Sequence, residues 1–410
     1  MRDYNLITLD NGIRVVHHQV KSTKIVHCGF TLDIGSRDEK NHQQGLAHFW
    51  EHMAFKGTEK RRGFQIINRL ESVGGELNAF TTKEKICFFA SVLDNHLNRS
   101  VELLTDITFN STFPERQIDL ERNVILEEMS MYRDNPEDAI QDDLDALVFG
   151  KHSMGVNILG TEKSVKGFKQ ASFKEFVSSN LDTSKVVFSI VGNISEKRVA
   201  QVVKKHLEPI ERKVGSTKRM LVNAPKPIVQ KIPKPISQAH CAIGGHAYSV
   251  FSKKRIPLAL MVNILGGPGM NSRLNMALRE KRGYVYSIDA NYTSYTDTGI
   301  FSLFFATENN QMAKSVKIVE KEIVRLKEQT LGNMQLHKAK QQIMGQLAMG
   351  EENNSSLMLM MGKSLLDRGE IPSLDDLFAQ IENVSSKDIL DVANEILIAE
   401  NLSHLYYLPE

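Results

Sequence analysis

The stretch Gly45–Lys56 reads GLAHFWEHMAFK and contains two histidines, His48 and His52, four residues apart. Residues with this separation lie on the same face of an α-helix, so a helix over the stretch would point both imidazoles in one direction. Glu51 stands directly before the second histidine, and the order H-x-x-E-H is the inverted zinc motif. Apolar residues occupy the positions around the motif, which predicts a buried helix that fixes the geometry of both imidazoles.

A catalytic zinc ion takes three protein ligands and keeps a fourth position for water, so the two histidines need a partner. The segment Glu121–Tyr132, ERNVILEEMSMY, is the most suitable source. On a helix, Glu121 and Glu128 would lie on one apolar face about two turns apart, where carboxylates are costly unless they are paired or bind metal. Glu127 would lie about 100° further around the helix and is expected to face solvent.

Length, charge and cysteine content limit the possible classes of protein. A chain of 410 residues is too long for one hydrophobic core, and its formal net charge of +2 argues against a nucleic-acid surface spread over the whole protein. Three widely separated cysteines, without a CxxC pair, predict small buried side chains rather than disulfides or thiolate metal ligands. No leader pattern or apolar run of membrane-spanning length is present, so we expect a cytoplasmic protein, although a leader already removed would leave no trace.

The order of apolar patterns predicts two similar α+β halves. Asn11-Gly12 joins two short apolar runs and indicates a hairpin, and Glu76–Leu93, which contains a segment rich in β-forming residues, follows a predicted helix over Gly63–Val73. The second half repeats this order. Gly75 and Gly283 stand before corresponding strand pairs, 283 − 75 = 208 residues apart, which indicates a duplicated domain.

We predict three regions along the chain. Residues 1–207 would form a catalytic zinc-binding domain, and residues 236–410 a homologous domain that lacks the metal motif. Residues 208–235 between them contain closely spaced prolines among lysines and arginines, which is typical of an extended, semi-rigid linker.

Three segments resemble the pitrilysin, or M16, metallopeptidase family: HFWEHMAFKGT at His48–Thr58, GGELNAFTTKE at Gly74–Glu84, and ERNVILEE at Glu121–Glu128. The chain is most similar to the short-chain branch, which includes the mitochondrial processing peptidase β subunit and related bacterial peptidases. Similarity continues through SRLNMALREKRGYVYS at Ser272–Ser287 and spans nearly the whole chain. The resemblance implies an α+β fold of the M16, LuxS-like type, in which each of two homologous domains is a mainly antiparallel sheet packed with helices.

The resemblance also implies a zinc metalloendopeptidase with one Zn²⁺ per chain. His48, His52 and Glu128 would bind the metal, because the separation 128 − 52 = 76 suits the family's third ligand and selects Glu128 over Glu127. Glu51 would be the general base that takes a proton from the zinc-bound water and later delivers it to the leaving amine.

Further residues match family positions outside the metal ligands. Glu121 corresponds to a family carboxylate that does not bind the metal itself but orients one of the metal ligands. Arg279 and Tyr286 match a pair that contacts substrate near the scissile bond. A strand edge that would grip the peptide backbone by strand addition is matched by Asn78, Ala79 and Phe80.

Family members enclose peptides in a chamber of four homologous domains, and this chain supplies two. Because the metal motif and the Arg/Tyr pair both occur here, the resemblance implies a homodimer in which Arg279 and Tyr286 serve the site of the other subunit. The substrates would be unfolded or extended peptides. Two alternatives remain: a non-catalytic scaffold or partner subunit, and a structural zinc site, against which the glutamate beside His52 argues.

Overall fold

The computed structural model describes residues 4–223 and 225–410 and contains two β-sheets. The strands of the first sheet are β1 Tyr4–Thr8, β2 Arg14–Gln19, β3 Ile25–Leu32, β4 Glu76–Thr81, β5 Ile86–Leu93 and β6 Val186–Gly192. The strands of the second sheet are β7 Val229–Lys234, β8 Ala239–Ala247, β9 Val285–Ser294, β10 Gly299–Thr307 and β11 Ser403–Pro409.

Helices account for most of the remaining described residues. The helices before β7 are α1 Leu46–Ala54, α2 Gly63–Glu71, α3 Leu97–Phe109, α4 Glu115–Asp134, α5 Pro136–Phe149, α6 Glu162–Gly167, α7 Gln170–Asn180 and α8 Glu196–His206. Those after β7 are α9 Arg255–Gly266, α10 Met312–Glu328, α11 Asn333–Glu352, α12 Asn354–Arg368, α13 Leu374–Glu382 and α14 Ser386–Ile396, and a π-helix covers Asn275–Glu280. In the described part of the chain, no helix has both the length and the apolar character that crossing a membrane requires.

The two sheets share one topology apart from strand β1, which the first sheet has in addition. The first has the strand order β1-β2-β6-β3-β5-β4 and the second β7-β11-β8-β10-β9. In each sheet one pair is parallel, β2 with β6 and β7 with β11, and the other pairs are antiparallel. If β1 is set aside, the sheets correspond strand by strand, with Gly75 directly before β4 and Gly283 two residues before β9. The predicted α+β fold with a duplicated, mainly antiparallel sheet is confirmed.

Local sequence patterns account for the turn between β1 and β2, but they do not show which face of α2 is buried. The Asn11-Gly12 turn joins β1 to β2, and Gly12 adopts a φ of 95°, which favours glycine. Phe64, Ile66, Ile67 and Leu70 have spacings that suit one apolar face of the predicted helix, but the structure does not bury them together. Ile66 and Leu70 are buried, whereas Phe64 and Ile67 are 78% and 41% exposed. The pairs 66/70 and 64/67 follow two different stripes around a helix, and only the first faces the core.

The chain divides into two compact units that interleave along the sequence. Unit 1 consists of residues 1–129, 156–220 and 349–373, and unit 2 of residues 130–155, 221–348 and 374–410. Unit 1 therefore takes α12 from the C-terminal half, and unit 2 takes α5 from the N-terminal half. The predicted linker includes strand β7. Each compact unit groups segments from both sides of residues 208–235. The domain boundaries predicted along the sequence stay a prediction.

Helices α12 and α5 each complete an apolar core in the unit to which they belong. In unit 1, Met358, Met361 and Leu365 of α12 belong to one buried cluster with Val187 and Val191 of β6. In unit 2, α5 packs in the same way on β8 and β11. Helix α12 thus packs on β3 and β6 of the first sheet, and α5 packs on β8 and β11 of the second.

All three cysteines are free and buried, as predicted. Burial raises the pKa of Cys28 and of Cys87 to about 12, and it raises the pKa of Cys241 as well. The thiols are therefore protonated at neutral pH and pack as small apolar side chains.

A buried network of charges connects the ends of β3 and β5 to α12 in unit 1. Asp33 Oδ1 accepts from Lys85 Nζ at 2.8 Å and from Arg219 at 3.0 Å. Lys85 also lies 2.7 Å from Asp367 of α12, and Arg219 binds Asp38. Burial alone would raise the pKa of Asp33, but the two cations outweigh it and lower that pKa.

Because the pKa of Asp33 is lower in the folded protein than in the unfolded chain, its charge stabilises the fold above the unfolded pKa of about 4 and loses that effect as pH falls through the folded value. We expect Asp33→Asn to lower the free energy of unfolding at pH 7 by about 3 kcal/mol, because the two cations lose a shared partner. The loss should not be larger, because Lys85 and Arg219 keep their other partners. The variant's stability should also fall less steeply than that of the wild type below about pH 4.

Urea unfolding at pH 7 and at several acidic pH values measures both effects. Asp119→Asn is the matched control, because the Asp119 side chain is 68% exposed and pairs only within α4, with Arg122. Equal acid sensitivity of Asp33→Asn and the wild type would contradict the assignment.

Candidate metal centre

Helix α1 is a buried platform for the H-x-x-E-H residues. It begins after Gly45, which has a φ of 93° and whose added Cβ would lie 2.4 Å from the Leu159 carbonyl oxygen, so only glycine fits. Phe49 packs edge-on against Phe173 of α7, with ring centroids 5.1 Å apart. Trp50 is 1% exposed. The apolar stripe expected from the sequence therefore fixes the helix, and with it the two imidazoles.

Three side chains from α1 and α4 converge in unit 1. His48 Nε2 and His52 Nε2 are 3.3 Å apart, and Glu128 places one carboxylate oxygen 3.7 Å from the first and the other 3.5 Å from the second. Among the described residues, these three form the one group of His, Cys, Asp and Glu side chains close enough to share a metal ion. Glu127 is exposed, as its position on α4 predicts.

The spacing of these atoms fits a zinc ion. Zinc bonds of about 2.0–2.2 Å in a tetrahedron place the ligand atoms about 3.3–3.6 Å from one another. The two imidazole nitrogens are 3.3 Å apart, within this range, and each has a different oxygen of the Glu128 carboxylate near it, at 3.7 Å from His48 and 3.5 Å from His52. Two nitrogens and one carboxylate form a donor set used by catalytic zinc, with a fourth position left for water or substrate.

Glu121 fixes the orientation and tautomer of His52 from behind. The His52 Nδ1–H donates to Glu121 Oε1 at 3.0 Å, which leaves Nε2 with the lone pair that a metal requires. The other carboxylate oxygen is 2.6 Å from Lys56 Nζ. Burial alone would raise the pKa of Glu121, but its bonds to His52 and Lys56 outweigh burial and lower that pKa.

Lys56 was not singled out from the sequence. Its separation of four residues from His52 was a signal, although α1 ends at Ala54 and Lys56 lies just beyond it.

Burial shifts the pKa values of the other two candidate ligands, His48 and Glu128. Burial, and then the neighbouring His52, lower the pKa of His48 to about 3, so its imidazole is neutral at neutral pH. His48 Nδ1 is buried without a hydrogen-bond partner in the part of the chain that the structure describes. Burial raises the pKa of Glu128, and the nearby His52 opposes that rise. A neutral imidazole and a carboxylate are the forms that bind zinc.

Glu51 lies beside the three ligands and is held by a residue of β4. Thr81 Oγ1 donates to Glu51 Oε2 at 2.6 Å. Burial raises the pKa of Glu51, while the Thr81 hydrogen bond and the nearby His52 oppose the rise. Sequence reasoning missed Thr81, because nothing in the linear pattern shows which face of β4 is turned toward α1.

Strand β4 is the edge strand of its sheet and, among the described residues, pairs with β5 alone. The Thr82 N–H donates to the Lys85 carbonyl, so even-numbered residues of β4 direct their backbone groups to β5 and Ala79 directs its groups to the free edge. The Asn78 side chain accepts the Ala79 N–H at 2.8 Å.

Two of the three predicted strand-edge residues line a cavity beside the candidate metal ligands. Asn78 and Ala79 line this cavity of about 350 Å³ together with Glu51 and His52. Phe80 instead packs against Phe89 of β5, with ring centroids 6.0 Å apart.

Arg279 and Tyr286 both belong to unit 2 and lie beside each other. The Arg279 guanidinium carbon is 5.6 Å from the centroid of the Tyr286 ring, which is within cation–π range. Tyr286 is 85% exposed on β9, and Arg279 lies in the π-helix Asn275–Glu280. The sequence did not indicate π-helical geometry, which is rare and occurs frequently at functional sites.

Comparisons with known proteins identify the family of the chain. Residues 14–162 match the family model "Insulinase (Peptidase family M16)", and residues 167–343 match "Peptidase M16 inactive domain". The uncharacterized zinc protease YmxG of Bacillus subtilis is 32% identical over 391 residues, which are 95% of this chain and 94% of the relative. An uncharacterized zinc protease of Streptomyces coelicolor is 32% identical over 95% of this chain and 86% of its own length.

Two solved structures share the fold. A protease from Helicobacter pylori superimposes with a TM-score of 0.93 over all of both chains at 20% identity. A peptidase M16 inactive domain from Pseudomonas fluorescens gives a TM-score of 0.92 over 100% of this chain and 98% of its own, at 18% identity. Identities this low speak for the fold alone, whereas the family models and the closer relatives decide the classification: this chain belongs to the M16 family of peptidases.

Proposed function

We propose that this protein is a zinc-dependent endopeptidase that hydrolyses extended peptides, with Glu51 as general base. The observation that carries the proposal is the convergence of His48, His52 and Glu128 at zinc-ligand spacing, with Glu51 in the same helical turn as the histidines. The names of the relatives, zinc proteases, support the same chemistry. One such ligand group among the described residues supports one Zn²⁺ per chain.

The residues of α1 and β4 have separate tasks in peptide hydrolysis. Zinc, when bound, supplies a Lewis acid that polarises the scissile carbonyl and acidifies the attacking water. Glu51 takes a proton as the water oxygen bonds to the carbonyl carbon, and passes that proton to the amine nitrogen as the C–N bond breaks. Thr81 holds the Glu51 carboxylate, and burial raises its pKa toward the range in which a base can also return a proton.

The free edge of β4 supplies backbone groups for an extended peptide. Ala79 directs its N–H and C=O outward beside the cavity that Glu51 and His52 line, so an added strand would run next to the ligands. The Asn78 carboxamide covers the Ala79 N–H in the free protein and has to move aside. Strand addition requires extended substrate, so folded proteins would be poor substrates.

Arg279 and Tyr286 are proposed to bind substrate from a second subunit. Their stacked, largely exposed arrangement on unit 2 offers a guanidinium and a phenol to a peptide carbonyl. A homodimer would bring together four sheet domains, and each of its two sites would use the metal ligands of one chain and the Arg/Tyr pair of the other.

Replacing the general base separates the peptidase from a scaffold protein. Glu51→Gln should retain zinc, because Glu51 is not a ligand, and should lower peptide turnover by about 10²–10⁴-fold. Zinc content by atomic absorption and cleavage of a quenched-fluorescence peptide library measure the two effects.

Glu127→Gln, which alters an exposed neighbour of Glu128, is the control and should keep wild-type activity. Wild-type protein that binds zinc without cleaving any peptide would favour the scaffold, and equal turnover in Glu51→Gln and the wild type would remove Glu51 from its role.

Thr81→Val tests the residue that holds the base. The change removes the hydroxyl that donates to Glu51 but preserves side-chain shape, so kcat/KM should fall about tenfold while zinc content is unchanged. Thr81→Ser retains the hydroxyl and should stay close to wild type. Identical kcat/KM values for the valine and serine variants would show that the hydrogen bond has no catalytic importance.

Mixed dimers test whether two subunits share each site. A Glu51→Gln chain and an Arg279→Ala/Tyr286→Phe chain should each be inactive alone, whereas their co-refolded mixture should regain about a quarter of wild-type activity, since half the dimers are mixed and each has one intact site. No recovery in a mixture shown to contain mixed dimers would place the Arg/Tyr pair in the same chain as the metal ligands it serves.

A further inference from the structure

The segment Gly35–Glu39 lies between β3 and α1 and contacts both parts of the proposed active site. Its centre is a single 3₁₀ turn, Ser36–Asp38. One end binds the turn that joins β4 to β5, and the other end binds the start of α1. We refer to these residues as the 35–39 segment.

Backbone hydrogen bonds hold the segment against the β4–β5 turn. The Ser36 N–H donates to the Thr82 carbonyl at 3.1 Å, and the Arg37 N–H donates to the Lys83 carbonyl at 2.8 Å. The Arg37 guanidinium lies 2.6 Å from Glu84, and both side chains are buried. A Cβ at Gly35 would lie 2.3 Å from the Lys83 carbonyl oxygen, so the two backbones are as close as glycine permits.

This contact is adjacent to the substrate edge and the base. Thr82 directly follows Thr81, which donates to Glu51, and the same strand presents Ala79 at its free edge. A shift of the segment would therefore move the end of β4 from which Thr81 reaches the base.

At its other end, the segment holds the first turn of α1 through a carboxylate. Glu39 Oε2 accepts the Gly45 N–H at 2.9 Å, and Oε1 accepts the Ala47 N–H at 2.7 Å. The first backbone N–H groups of a helix have no partner within the helix, and the two oxygens of Glu39 supply partners at this end. Ala47 immediately precedes His48, so the carboxylate fixes the turn that carries the first metal ligand.

Glu39 is 9% exposed, so water cannot readily replace its hydrogen bonds. Burial raises the pKa of Glu39 to about 8, although the N–H donors of Ala47 and Gly45 and the nearby Lys83 of the β4–β5 turn oppose that rise. The Lys83 Nζ also donates to the Val156 carbonyl at 2.7 Å, which ties the turn to a further loop of unit 1.

We propose that Glu39 is a positioning residue, which sets the location of the metal-binding helix α1 relative to the substrate-binding edge of β4. The proposal rests on the proposed peptidase function and adds a residue to it. Because a peptide on β4 and the ligands on α1 must meet within a fraction of an ångström, a loosened connection should affect zinc geometry and the chemical step more than peptide binding.

Glu39→Gln is the first variant, because it preserves size while its NH₂ group cannot accept an N–H. Glu39→Asp is the second, because it retains a carboxyl group but is too short to reach both donors. Glu175→Gln makes the same chemical change at an exposed carboxylate of unit 1 and is the control. The measurements are the zinc dissociation constant by chelator competition, the visible spectrum of the cobalt(II)-substituted protein, kcat and KM for one peptide, and thermal unfolding of the metal-free protein.

Both Glu39 variants should bind zinc about tenfold more weakly and lose about tenfold in kcat, with KM changed by less than about twofold. The cobalt(II) absorption bands should shift, and Glu175→Gln should show none of these effects. A lower melting temperature in the Glu39 variants with unchanged zinc affinity, cobalt spectrum and kcat would overturn the proposal in favour of a purely structural role.

The metal measurements also separate this proposal from the proposed function. If the wild type cleaves no peptide, but the Glu39 variants still weaken zinc binding and shift the cobalt spectrum, the peptidase proposal fails and the positioning of α1 stands.

Discussion

Two imidazole nitrogens held 3.3 Å apart beside a carboxylate are the constraint on which unit 1 depends. With its Nδ1–H engaged by Glu121, His52 directs its Nε2 lone pair toward His48, whose imidazole burial keeps neutral. A metal ion between the two rings would take a lone pair from each. Such an arrangement persists only where the surrounding packing holds it, and α1 is accordingly buried along one whole face.

Burial affects the members of this site in opposite directions. It lowers the pKa of His48 and raises the pKa of Glu51 and Glu128, because each shift favours the uncharged form. Specific donors then oppose burial where a charge is needed: Thr81 at Glu51, and Lys56 with His52 at Glu121. The same low-polarity surroundings strengthen every interaction with charge that develops during a reaction.

The sequence predicted those parts of the site that lie within one element. Helical spacing placed His48, Glu51 and His52 on one turn, and the α4 pattern brought Glu121 and Glu128 to one side. Thr81 and Glu39 were missed, because each contacts a residue of a different element. The spacing of residues within one element does not show how two elements are placed relative to each other. The duplication was visible in the order of elements. The sequence did not show that α5 belongs to unit 2 and α12 to unit 1, because an amphipathic pattern does not indicate against which sheet a helix packs.

The position of α12 in the sequence has a consequence for biosynthesis. The last strand of the first sheet ends at Gly192, but the helix that covers Val16, Val187 and Val191 of that sheet ends at Arg368, 368 − 192 = 176 residues later. At about 5–20 residues per second, a ribosome needs roughly 9–35 s to make this interval. Throughout it, Val16, Val187 and Val191 lack the helix that covers them in the folded protein. The half that carries His48, His52 and Glu128 thus completes its core only after most of the other half has been translated.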